Sequence, residues 1–255
     1  ATEGSASALT GGETTVRIFF SLTGTPDGSE TLEVDLQANE VFDQNGLVGD
    51  ADQTSNNTAT MNDEAAPTVS ITTGASDPTN SSPFSVTITF SESVSNFVLG
   101  DITVVNGTAS NFAGSGTTYT ADITPSGNGA VTVDVAAGVA TDGAGNSNTA
   151  ATQLSVTYDG TAPSVTVTTG VSSPTNSSPF SVTITFSESV SGFVVGDITV
   201  VNGTASNFAG SGTTYTADIT PTGDGAVTVD VAAGVATDGA GNSNTAATQL
   251  SVTYD

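Results

Sequence analysis

Hydrophobic and polar residues alternate along most of the chain with a period of two. Phe84-Ser-Val86-Thr-Ile88-Thr-Phe90 places every second side chain on an apolar face, as do Val131-Thr-Val133-Asp-Val135 and Leu154-Ser-Val156-Thr-Tyr158. Tyr119-Thr-Ala121-Asp-Ile123 and Ile102-Thr-Val104 follow the same rule. Successive side chains of a strand point to opposite faces, so each run predicts one buried and one wet face. The wet face is Thr, Ser and Asp, and the β-branch of Thr favours strands. No window carries a helical stripe. Gly, Asn, Pro and Ser interrupt the runs at intervals of roughly eight to twelve residues, the rhythm of an antiparallel sandwich. Seven strands are expected per unit, at 68–73, 84–91, 96–99, 101–105, 117–124, 130–136 and 152–158.

The unit is repeated. Residues 66–159 and 162–255 differ at only nine of 94 positions when overlaid with a spacing of 96. The differences are Thr68/Ser164, Ser70/Thr166, Ile71/Val167, Ala75/Val171, Asp77/Ser173, Asn96/Gly192, Leu99/Val195, Ser126/Thr222 and Asn128/Asp224. All are conservative or fall in expected loops. The pattern divides the chain into 1–62, 63–158 and 159–255. In the first segment, Thr14-Thr-Val16-Arg-Ile18 and Thr31-Leu-Glu-Val34-Asp35-Leu36 resemble the second half of a repeat. Half a sandwich cannot bury a core alone. Residues 1–62 therefore read as an incomplete, diverged copy, either cut from a longer array or completed by strands from a neighbouring chain.

Composition narrows the chemistry. The 255 residues include 26 Asp and Glu against a single basic residue, Arg17, for a formal net charge of −25. Such a chain is repelled by nucleic acid and by anionic lipid, and it attracts cations. With no His and no Cys there is no imidazole base, no thiolate nucleophile and no ordinary zinc, copper or haem ligand set. With no Lys, Schiff-base and P-loop chemistry are excluded too. No apolar run approaches the ~20 residues of a membrane span. Asp101 and Asp122, the repeated acids that a glycosidase reading would need as a pair, read as turn or wet-face residues. Near-identical copies suit a spacer better than an enzyme.

Several stretches carry a family resemblance: Ala-Pro-Thr-Val at 66–69, Phe84-Ser-Val-Thr-Ile-Thr-Phe90-Ser-Glu92, Phe97 with Gly100-Asp101-Ile102-Thr103, and Ala140-Thr-Asp142-Gly-Ala-Gly-Asn146. Each repeat resembles the bacterial immunoglobulin-like (Big) modules of large surface adhesins and filament proteins. The resemblance implies an all-β chain of tandem Ig-like antiparallel sandwiches joined end to end. It further implies export to the bacterial cell surface and stiffening by calcium at the joints.

In such a sandwich the second strand returns to the pole where the linker enters, and the loop before the last strand lies at that pole. Asp63, Glu92 and Asp142 are therefore expected to converge, with Asn146 beside them. Asp159, Glu188, Asp238 and Asn242 repeat the set. Calcium takes six to eight oxygen ligands, and the Gly-rich Asp-Gly-Ala-Gly-Asn loop exposes carbonyls. Asp-Gly and Gly-Asn are also ordinary turn dipeptides, so Asp142 and Asp238 are equally readable as turn caps and Asp63 and Asp159 as linker solvators. The functional expectation is a structural stalk whose partners are adjacent Ig-like repeats. An adhesive module binding a carbohydrate or cell surface, and a filament subunit joined by strand donation through 1–62, are the alternatives. No nucleic acid and no membrane insertion are expected, and the distal ligand is not read from the chain.

Overall fold

The structure, a computed structural model, describes residues 31–33, 58–60 and 63–255. Among them the regular structure is β-strand, with two short 3-10 turns. Strands β1 (Thr31–Glu33) and β2 (Thr58–Thr60) pair antiparallel, with Leu32 opposite Ala59. Apart from this ladder, the reading of 1–62 as half a sandwich lies outside the described residues.

The first full repeat contains β3 (Val69–Thr73), β4 (Phe84–Val94), β5 (Ile102–Val105), β6 (Gly107–Pro125), β7 (Gly129–Val135) and β8 (Leu154–Tyr158). They form two three-stranded antiparallel sheets, ordered β3-β4-β6 and β5-β7-β8. The second repeat contains β9 (Val165–Thr169), β10 (Phe180–Val190), β11 (Ile198–Val201), β12 (Gly203–Pro221), β13 (Gly225–Val231) and β14 (Leu250–Tyr254). Its sheets, β9-β10-β12 and β11-β13-β14, repeat the topology.

The period-two pattern decides what is inside. Along β4, Phe84, Val86, Ile88 and Phe90 are buried, and they share one core with Tyr119, Ala121 and Ile123 of β6 and Val131, Val133 and Val135 of β7. The polar alternates stay on the outer face. One end of the core is aromatic: Phe90 and Phe97 meet edge to face at 5.2 Å, and Phe112 stacks on Tyr119 at 5.6 Å. The buried Tyr119 hydroxyl donates to the Val94 carbonyl at 3.3 Å, which satisfies its polar tip.

Two expected elements differ from the structure. Residues 96–99 do not form a strand; Asn96 has φ of 68°, and Leu99–Asp101 is a 3-10 turn. The Asp101 carboxylate accepts the Val98 N–H at 2.8 Å, which closes that turn while Phe97 remains buried. The expected strand at 117–124 is one arm of the longer β6, which doubles back on itself at Gly114 (φ 115°) and Gly116 (φ 67°). A Cβ on Gly114 would fall 2.3 Å from the Thr118 carbonyl oxygen, so the two arms close only over glycine. Asn111 reaches across to the Asp122 carboxylate at 2.9 Å.

Substitutions between the repeats respect the same geometry. Asn96 and Gly192 both hold left-handed backbone, at φ 68° and 85°, a region those two residue types tolerate best. Asp77 accepts the Thr157 N–H and Ser173 accepts the Thr253 N–H, each at 2.9 Å.

Because each repeat owns its core, Ile88→Ala is expected to destabilise only the first, by about 2–5 kcal/mol. A calorimetric scan should then resolve a lowered transition beside an unshifted one. A single transition displaced as a whole would mean that the two cores unfold together.

Candidate metal centres

Both sets of acids predicted to converge do so. In Asp63, Glu92 and Asp142, and again in Asp159, Glu188 and Asp238, one carboxylate oxygen from each residue lies within 4.8 Å of the others. Three chain segments meet there: the linker entering the sandwich, the end of its second strand, and the loop before its last strand. Glu92 has the same parity as Phe84, Val86, Ile88 and Phe90, so it continues their inward face beyond the core. Pairing of β4 with β6 slips between Thr89 and Val94, a break of the bulge type that re-aims side chains at sheet ends.

The Asp142 loop is built around its own carboxylate. Oδ1 accepts the backbone N–H groups of Ala144, Gly145 and Asn146 at 2.7–2.8 Å, and Oδ2 accepts the Asn146 amide at 2.8 Å. Gly145, at φ 97°, permits this nest of N–H groups. Asp238 repeats it with Ala240, Gly241 and Asn242. Asp142 and Asp238 therefore cap their turns as well as joining the clusters. Asn146 and Asn242 present their amide nitrogens inward, each donating a second hydrogen bond to the linker carbonyl of Asp63 (3.0 Å) or Asp159 (2.8 Å).

The acids differ in how they are held. For Asp142 and Asp238, burial pushes the carboxyl up. The Asn amide and the three backbone N–H groups together outweigh it and leave both groups below the ordinary value. Glu188 is raised, by burial first and then by the charges of Asp159 and Asp238. Among the described residues there is no basic side chain to relieve this repulsion, since the only one in the chain is Arg17. An all-oxygen, all-anionic donor set suits a hard cation such as calcium or magnesium and is a poor match for softer transition metals.

Asp159 ties the two sandwiches together. Its N–H donates to the Thr79 carbonyl of the first repeat at 2.9 Å, and its carboxylate accepts the Asn128 amide at 2.8 Å. Its own carbonyl accepts Asn242 of the second repeat, and its carboxylate completes the second acidic cluster. Asn128 also accepts the Gly160 N–H at 2.9 Å. The Pro67 and Pro163 carbonyls take the N–H groups of Thr149 and Thr245, each at 2.9 Å, so the linkers lie against the domain they enter.

Asn128 and Asn148 were not singled out by sequence reasoning. Asn148 is 2 % exposed and has every side-chain polar group engaged: it accepts Val139 and Ala140 N–H and donates to Ala136 and Thr149 carbonyls. Its only sequence signal is a third polar residue in the Asn146-Ser-Asn148 run. Asp101 closes a turn, and Asp122 accepts the Ser85 hydroxyl and the Asn111 amide, which lower its pKa in that order.

Among the described residues no helix is long and apolar enough to cross a membrane. Comparison with curated proteins gave no match. Among solved structures, the chain is similar to the crystal structure of invasin, described as a bacterial integrin-binding protein, at 14 % identity and a TM-score of 0.28. The alignment covers 74 % of this chain and 39 % of that one, so the chain corresponds to well under half of invasin's length. A profile of the bacterial Ig-like domain matches residues 63–158 and again 159–254. With two tandem matches spanning most of its length, each a complete two-sheet sandwich, the chain belongs to the bacterial Ig-like domain family.

Proposed function

We propose that the chain is a non-catalytic stalk segment of a bacterial surface adhesin or filament, with calcium stiffening its domain junctions. The observation that carries this reading is the placement of Asp159. It is hydrogen-bonded to the first sandwich while its carboxylate joins Glu188 and Asp238 of the second. A cation held by these three carboxylates would link the linker to both sheets of the domain it enters and limit bending there. Asp63, Glu92 and Asp142 would do the same at the preceding junction. Asn146 and Asn242 position the linker carbonyls. The bound ion supplies neutralisation of carboxylates that otherwise repel one another. Tandem sandwiches, a short Pro-containing linker and a strongly acidic surface favour an extended, soluble spacer.

Millimolar calcium is expected to raise the melting temperature, and excess chelator to reverse it. A site occupied about tenfold above its dissociation constant adds roughly 1.4 kcal/mol, or about 6–11 °C for a domain of this size. Superimposable melts with calcium and with chelator would remove the metal from this proposal.

Glu188→Gln takes one charge from the second cluster and leaves the first intact. With chelator present, the variant is expected to melt above the wild type. With calcium, its second domain is expected to lose most of the metal-dependent gain while the first keeps it. A variant that keeps a full calcium response in both domains would exclude Glu188 as a ligand.

Acid titration offers a further check. The Glu188 pKa is raised, so the stability it contributes is present below its ordinary 4.5 and lost as pH rises through the folded value. Asp142 and Asp238 are lowered, so their contribution is present above 3.8 and lost as pH falls through their folded values. In chelator, wild-type stability should rise on acidification from neutrality through the Glu188 titration and fall only below 3.8. Relief of the general negative charge acts in the same direction, and the Glu188→Gln variant isolates the local part by showing a smaller rise. Calcium stabilisation should weaken over the same window as protons compete for the ligands.

A further inference from the structure

One exposed side chain of the first sandwich holds three consecutive residues of the linker. Asn128 lies in the turn between β6 and β7, and its amide donates to the Asp159 carboxylate at 2.8 Å and to the Thr161 hydroxyl at 2.6 Å. Its side-chain carbonyl accepts the Gly160 N–H at 2.9 Å. Both amide protons and the carbonyl are thus engaged on residues 159–161. The turn is itself braced. Asn106 donates its amide to the Gly127 carbonyl at 2.9 Å, its backbone carbonyl accepts the Ser126 N–H at 3.0 Å, and Gly129 holds a φ of 117°. Elsewhere in the same joint the 238–242 loop lies against the β3–β4 loop: a Cβ on Gly239 would sit 3.8 Å from Pro78 Cγ, and one on Gly241 3.5 Å from Asn80 Nδ2. The first sandwich therefore meets both the linker and the loop that carry carboxylates of the second cluster.

On Asp159 two donors share one oxygen. Oδ1 accepts the Asn128 amide and, at 3.0 Å, the Thr161 N–H. The Thr161 bond is local, and Asp63 has its equivalent in the Ala65 N–H at 2.9 Å. The Asn128 bond spans 31 positions and comes from the body of the first sandwich. Together they fix the torsions of a side chain that is otherwise only half-buried. A carboxylate already held in its binding rotamer gives up less freedom when a cation arrives, which is how partners behind a ligand tighten a metal site.

We propose that Asn128 is a positioning residue for the second acidic cluster: it presets the Asp159 carboxylate toward Glu188 and Asp238 and so tightens cation binding there. The inference rests on the calcium reading above and extends it, because affinity at a cluster on the second sandwich is then set partly by the first. Linkage makes the effect reciprocal, so a bound ion strengthens the Asn128 contact by the same factor. Asn is not required to build the turn. The second repeat has Asp224 at this position, and there Gly225 keeps the φ of 117° while Asn202 donates to the Gly223 carbonyl at 2.8 Å. The amide acts on the linker, and its loss leaves the turn standing.

Calcium titrations of the full isotope-labelled chain, followed by NMR, test this. The Ala65 and Thr161 amides each donate to the linker carboxylate of one cluster and report the two sites separately. Asn128→Ala is expected to raise the titration midpoint at Thr161 by about two- to tenfold, the effect of having to order one more side chain on binding. The midpoint at Ala65 should not move. In chelator, three-bond couplings should show Asp159 in one χ1 rotamer in the wild type and averaged over several in the variant, a readout that needs no metal. The proposal is overturned if Asp159 populates the same rotamers in both proteins, or if both midpoints move together. An unmoved Thr161 midpoint, with both sites still binding, sinks this proposal alone and leaves the calcium reading standing. A wild type with no saturable response at either amide removes the calcium reading and this proposal with it.

Discussion

Repulsion among three carboxylates within 4.8 Å of one another governs the poles of both sandwiches. Among the described residues no basic side chain offsets it, so the fold restrains these acids by other means. Asp142 and Asp238 are held by backbone N–H groups and an Asn amide, and Asp63 and Asp159 sit on linkers whose carbonyls are hydrogen-bonded to the adjoining loop. Glu188 has a raised pKa, from burial first and then from the charges of Asp159 and Asp238. Such a cluster is stable only on a rigid support. The two sheets supply that support through cores in which Val86, Ile88, Val131 and Val133 have no exposed surface.

The layout repeats from one sandwich to the next. The acidic cluster, the linker and the loop before the last strand all lie at one end of each sandwich, and where the two described repeats join, the second meets the first through these parts. The outer faces carry short polar side chains, largely Thr and Ser, and the β-branch of Thr favours extended structure. The hairpin formed by β6 and the 3-10 turn at Leu99–Asp101 belong to the body of the domain and keep Phe97, Phe112 and Tyr119 packed as its aromatic end.

Much of this was legible beforehand. Alternation identified the inward residues of β4, β6 and β7, because strand parity is local and does not depend on what packs opposite. It failed at 96–99, where Phe97-Val98-Leu99 is apolar in composition but Asp101 folds back onto the Val98 N–H. It also failed at 107–113, where Asn, Ser and Gly conceal a strand whose partner is the following arm of the same hairpin.

The sequence by itself determined the sandwich class, the repeat boundaries and the identity of the converging acids, since parity, periodicity and strand order are properties of the chain taken in order. Only the tertiary structure decided which atoms of those residues meet. It alone showed that the Asn146 and Asn242 amides face the linker carbonyls, that Asn128 reaches Asp159 across 31 positions, and that Pro78 and Asn80 receive the next domain's loop. These contacts join segments far apart in the chain, and their geometry depends on how two folded bodies lie against each other. No local pattern of residues encodes that.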